Sequence, residues 1–136
     1  MKTFTQLVKN LKKDFSTLKS LKIAVLGDNA TQFLTQALRG TGYDYGLDLQ
    51  IWEADFNQVE RQVFDFTSEL YGYDPEIIII FQSSHKLLAK YNKLKVEQYS
   101  SFSESQLALI DHLVSEISSR IKAKIVFYNF SEIDDS

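Results

Sequence analysis

Apolar residues recur along this chain in alternating helical and strand-like registers. Phe4, Leu7, Val8, Leu11, Phe15 and Leu18 follow a helical spacing, which predicts a leading amphipathic helix over residues 1–19 with Lys9, Lys12 and Lys13 outside. Leu21 to Leu26 is a short aliphatic run halted by Gly27 and reads as a buried strand. Asp28 or Asn29 then caps a helix carrying Phe33, Leu34, Ala37 and Leu38 that ends around Gly40 to Gly42. Asn29 and Gln32 stand at capping-box spacing.

The alternation continues. Leu47 to Trp52 reads as a second strand, followed by a polar loop over Glu53 to Asn57 and a short helix with Val59, Val63 and Phe64. Ser68 to Tyr71 forms a further turn before Asp74-Pro75. Glu76 to Phe81, with four consecutive isoleucines, suits a central parallel strand covered on both faces. Ser83 or Ser84 caps the next helix, with Leu87, Leu88 and Tyr91 facing inward, and residues 95–102 form a loop. Ser103 and Gln106 then open a long helix with Leu107, Ile110, Val114, Ile117 and Ile121 on its inner face, and Lys124 to Tyr128 is a fourth strand. Strands alternating with helices predict an α/β fold, a three-layer sandwich whose central parallel sheet has about four strands and helices on both faces. The expected strand order is 2-1-3-4, as in flavodoxin-like sheets.

Composition narrows the function classes. At 136 residues the chain fits one ordinary domain, and 44% apolar with 24% charged residues is a soluble balance. With no cysteine there is no disulfide, thiolate nucleophile or cysteine metal site, which fits the cytoplasm. A net charge of −3 argues against a nucleic-acid surface, and the longest apolar run, Ile77 to Phe81, is too short to span a membrane. No signal peptide is visible. No metal site is expected either, because neither His85 nor His112 has a second ligand at helical or hairpin spacing.

In an open α/β sheet the site lies outside the carboxyl ends of the strands, where the strand order reverses. That nominates the loops Gly27 to Gln32, Glu53 to Asn57, Gln82 to His85, and Asn129 onward. Gly27, Asp28, Asn29, Thr31, Gln82, Ser83, Ser84 and His85 are expected to converge on one crevice. Asp, Asn and Ser are also the preferred helix caps, so capping explains Asn29 and Ser84 equally well. His85 in a first helical turn suits a neutral donor or acceptor, while His112 falls on the solvated side of the long helix. Gly27 stands alone rather than within a phosphate-binding glycine pattern.

Val25-Leu26-Gly27-Asp28-Asn29 resembles the opening of the SGNH, or GDSL-like, hydrolase fold, where a strand ends in Gly-Asp-Ser. Glu53 to Gln58, the run Asp65-Phe66-Thr67-Ser68-Glu69-Leu70-Tyr71, and Pro75 to Ile80 resemble the N-terminal domain of FkbH-like proteins. The resemblance covers roughly residues 20–136. It implies an SGNH-like domain, excised from a longer protein in which a haloacid-dehalogenase (HAD) phosphatase or transferase domain follows. It also implies biosynthetic acyl or glyceryl transfer. Asn29 replaces the nucleophilic serine, and an amide cannot take that role. Neither the Asp-x-x-His of SGNH enzymes nor the Asp-x-Asp-x-Thr of HAD enzymes occurs in the chain.

Two readings follow. In the first, the domain is non-catalytic, needs no cofactor, and presents substrate to, or binds a partner for, the C-terminal domain. An acyl carrier protein is then a plausible partner, docking on the lysines of the first helix or on Lys86, Lys90, Lys93 and Lys95. In the second it is an esterase or acyltransferase with Thr31 or Ser84 as substitute nucleophile and His85 as base.

Overall fold

The computed structural model describes residues 1–133. Its elements run α1 (Phe4–Asn10), β1 (Lys19–Gly27), α2 (Gln32–Asp44), β2 (Leu47–Glu53), α3 (Val59–Phe64), α4 (Glu69–Tyr73), β3 (Ile77–Phe81), α5 (Ser84–Tyr91), α6 (Phe102–Arg120) and β4 (Lys124–Phe127). A one-turn 3-10 helix at Val96–Gln98 lies between α5 and α6. The four strands form one all-parallel sheet in the order 2-1-3-4, as the alternation of elements predicts.

The reason β1 sits inside the sheet is written in its side chains. Ile23 to Leu26 are all buried, so the strand must be covered on both faces. Ala24 and Leu26 join Ile78 and Ile80 on one face, against Val59 and Val63 of α3, Leu70 of α4, and Leu113 and Ile117 of α6. Ile23, Val25, Leu49 and Ile79 form the other face, where Leu38 of α2 packs.

Several element boundaries differ from the sequence pattern, each for a local reason. The leading helix stops at Asn10 rather than continuing to residue 19. Asn10 is buried and donates its Nδ2 to the Gly40 carbonyl (2.9 Å) and to Asp44 Oδ1 (3.0 Å), which anchors the end of α1 on α2. Beyond it Asp14 accepts the Ser16 amide at 2.8 Å, an Asx-type turn that competes with helix, and Phe15 swings onto Tyr43. The capping box occurs at Thr3 and Gln6, while neither Asn29 with Gln32 nor Ser103 with Gln106 forms one. α6 instead begins one residue earlier, at Phe102, whose ring packs on Tyr91. Its inner face is Leu109, Leu113, Ile117 and Ile121, leaving Leu107 exposed. α5 has no fully buried residue; Leu87 and Leu88 are half-buried and Tyr91 is exposed.

α2 does not end at Gly40 or Gly42 but runs through both to Asp44. These glycines serve packing: a Cβ on Gly40 would lie 2.3 Å from the Leu7 carbonyl oxygen, so the backbones of α1 and α2 touch there. No helix of the described residues is long and apolar enough to cross a membrane.

Gly40→Ala should therefore destabilise the protein by about 1–3 kcal/mol through overpacking, despite the better helix propensity of alanine. In α4, Gly72→Ala meets open space and should be neutral or slightly stabilising. Equilibrium urea unfolding of the two variants checks the contrast, and equal midpoints would refute the packing role of Gly40.

Candidate functional site

β1 and β3 are neighbours, so the loops after them leave the sheet side by side at its carboxyl edge. Asp28 joins them. Its amide donates to the Phe81 carbonyl (3.2 Å), and its carboxylate oxygens both accept the buried Ser83 amide at 2.9 and 3.0 Å. The Lys86 ammonium donates to the Asp28 carbonyl and lies 4.2 Å from the centre of the Phe56 ring. Asn57, at φ 57°, donates its amide to the Gly27 carbonyl and so draws the third loop onto the first. Asp28 thus fastens the two loops through one shared N–H while its side chain also borders the hollow beside them.

Two hollows flank this clamp. One, of about 330 Å³, is lined by Asp28, Asn57, Val59, Glu60, Gln82, Lys86 and Lys90. The other, of about 270 Å³, is lined by Asn29 to Gln32 and by Glu53, Ala54, Asp55 and Phe56. In the second hollow Thr31 donates its hydroxyl to Glu53 Oε1 at 2.6 Å, and Thr35 donates to Glu53 Oε2 at 3.1 Å. Both hollows are polar, and the first balances two carboxylates against two ammonium groups. Its complement is a small polar molecule or a polar protein segment.

The expected site residues are therefore divided. Asp28 and Gln82 line the first hollow, while Ser83 borders a small recess beside it and caps α5 by accepting the Lys86 amide. Gly27 is buried at the end of β1, and Asn29 and Thr31 belong to the second hollow. Ser84 shares a 3.3 Å hydrogen bond with Ser131, and His85 is exposed on the first turn of α5. Ser84 and His85 are adjacent in a helix, so their side chains diverge. His112 is exposed, its ring tilted against Phe64 and its Nε2 3.6 Å from Glu116. Among the described residues no cluster of three metal-ligating side chains occurs. Glu53 and Asn57 come from the loop that position nominates after β2, and Lys86, read from the sequence as a docking lysine, reaches into the site itself.

The run from Asp65 to Tyr71 has a different role. Ser68 donates its hydroxyl to the Gln62 carbonyl (2.6 Å), and buried Gln62 donates to Glu69 and accepts the Leu70 amide. Tyr71 donates to the Val63 carbonyl at 2.6 Å. Asp65 accepts the hydroxyl and amide of Thr67, which hold its carboxyl below its ordinary pKa; the Gln62 amide does the same for Glu69. These polar residues build the α3–α4 corner.

A family model of the FkbH N-terminal domain matches residues 22–136. The chain belongs to that family. A crystal structure of the N-terminal part of the protein BF1531 from Bacteroides fragilis, described as containing a phosphatase domain complexed with Mg, superposes on this FkbH N-terminal domain with a TM-score of 0.91. The two sequences are 36% identical over 99% of the present chain, which spans 35% of that longer chain. No curated protein sequence matches.

Removing the clamp should cost stability. Asp28→Ala leaves the buried Ser83 amide without its charged acceptor, a loss of about 2 kcal/mol, whereas Asp28→Asn keeps one acceptor and should lose roughly half as much. Urea unfolding reads both, and an Asp28→Ala protein as stable as the parent would contradict the clamp. The carboxyls of Asp65 and Glu69 are depressed in the folded state, so their contribution is present above the unfolded values and fades as pH falls through the folded ones. Acid titration followed by circular dichroism should show stability declining in that window.

Proposed function

We propose that this chain is a non-catalytic, degenerate SGNH-like domain of a larger FkbH-like biosynthetic protein. It presents substrate to, or binds a partner for, a C-terminal HAD-type phosphatase or acyl-transfer domain. The observation that carries the reading is the composition of the loop after β1. Asn29 stands at the nucleophile position, and the preceding Asp28 is consumed in binding the Ser83 amide. The loop keeps the shape of a binding crevice without a hydroxyl at the position that Asn29 occupies. Membership of the FkbH N-terminal family, and the phosphatase domain named in the longer Bacteroides relative, support its place in a larger protein.

The partner fits the charge distribution. Lys86 and Lys90 rise from α5 at the rim of the larger hollow, with Lys93 and Lys95 following. An acidic acyl carrier protein, or an acidic surface of the C-terminal domain, would meet that rim. The work belongs to the cytoplasm, where such carriers operate.

A second reading has one observation in its favour. Thr31 donates its hydroxyl to the Glu53 carboxylate, the geometry of a hydroxyl next to a base. Glu53 also holds Thr35, which makes the group equally a brace between β2 and α2.

An ester assay separates the two readings. The chain should hydrolyse p-nitrophenyl acetate no faster than buffer, and Thr31→Val should not change that. Turnover abolished by Thr31→Val in a folded protein would establish the esterase and overturn the non-catalytic reading. For the partner, Lys86→Glu combined with Lys90→Glu should abolish carrier-protein chemical-shift changes in an NMR titration; unchanged shifts would remove the α5 rim as the dock.

A further inference from the structure

Among the described residues, one sheet face is left without cover over β4. α2 lies over β2 and β1, while α3, α4 and α6 cover the opposite face. Ile77, Ile79, Phe81, Val126 and Tyr128 share the face that carries α2, as the β3–β4 register requires. On it Val126 is 45% exposed and Tyr128 39% exposed. Below them a shallow depression of about 630 Å³ opens between Leu21, Ile77 and Lys124. All-parallel sheets are ordinarily covered on both faces, so exposed apolar side chains here mark a seat.

The outer edge of β4 points the same way. Lys124 and Tyr128 donate their amides to Glu76 and Ile80 on the β3 side. In a parallel ladder alternate residues face alternate neighbours, so the amides and carbonyls of Ile125 and Phe127 face the free edge. After β4 the chain turns toward α5 and α6: Phe130 packs on Phe127, whose side chain belongs to the α6 face, and Ser131 reaches Ser84. A right-handed crossover to a further parallel strand beside β4 must leave on that face.

We propose that the uncovered face and edge are completed by the polypeptide following position 136 in the longer protein. It crosses over on the α6 face, adds a fifth parallel strand against Ile125 and Phe127, and returns as a helix over Ile77, Val126 and Tyr128. The inference rests on the reading of this chain as part of a larger protein. The length is available: the Bacteroides relative is matched over only 35% of its chain. It also sets the geometry of the whole, because the helix that follows the fifth strand then packs beside α2 and fixes where the next domain starts.

Hydrogen exchange on the longer gene product tests this without cutting it. The Ile125 and Phe127 amides should exchange at least tenfold more slowly than those of Leu49 and Ile51, which face away from β1 on the opposite edge. Val126→Arg should lower the melting temperature of that protein by several degrees, while Tyr45→Arg, at the exposed end of α2, should leave it unchanged. Exchange at Ile125 and Phe127 as fast as at Leu49 and Ile51 would overturn the seat while leaving the larger protein intact. A gene product ending at Ser136 would overturn the larger protein and the seat with it. Protection lost on dilution, together with dissociation of a dimer by sedimentation, would assign the face to a second copy and also overturn it.

Discussion

Everything in this fold hangs on β1 being hydrogen-bonded on both edges and buried on both faces. From Ile23 to Leu26 that strand has no room for polar side chains, and the first polar group beyond Gly27 lands between the loops of its neighbours. Asp28 is that group. Its carboxylate satisfies a buried amide of the loop after β3, and its own amide is satisfied by the last carbonyl of β3. Both bonds lie in a poorly solvated place, where a charge-assisted bond is strong and an orphaned amide costly. The crevice exists because this linkage holds its walls apart at a set spacing.

That linkage also changes what the Gly-Asp-Asn loop means. What the structure shows in that loop is architecture: a glycine packed against Thr31 and an aspartate fastening two loops. Under the proposed SGNH-like reading, Asn29 stands where the nucleophile would be. Likewise the run from Asp65 to Tyr71, the part of the chain most suggestive of its family, turns Ser68 and Tyr71 inward to close the α3–α4 corner beside Gln62, while Asp65, Thr67 and Glu69 stay exposed. Residues that identify a family need not be the ones that act on a ligand; here they hold helices in place.

The sheet is asymmetrically finished. On the α6 face its apolar side chains are covered from β2 to β4, while on the α2 face cover reaches Ile79 of β3 and leaves Val126 and Tyr128 exposed. The asymmetry follows from topology, since the crossover to β2 runs along one face and those to β3 and β4 along the other. A four-strand order of 2-1-3-4 contains only one crossover on the α2 face, and a helix is about 10 Å across, wide enough for two strands spaced at about 4.8 Å.

The element order, the parallel sheet and the strand order were legible in the residues themselves. Four apolar runs cut by Gly27, Glu53, Gln82 and Asn129 can hardly be anything but buried strands, and their separation by helical patterns leaves few topologies. Local sequence also marked Ser83 as a cap and the strand-end loops as the polar rim. What it could not supply were the choices made between distant segments. The end of α1 is set by Asn10 reaching Gly40, thirty residues away, and the passage of α2 through two glycines is set by what lies against them. The inner face of α6 is turned toward Leu109 and Leu113 by the sheet it meets. Asp28 could be a cap or a crevice residue by its sequence alone; only the arrival of the Ser83 amide decided it, because a carboxylate takes its role from the donor that reaches it.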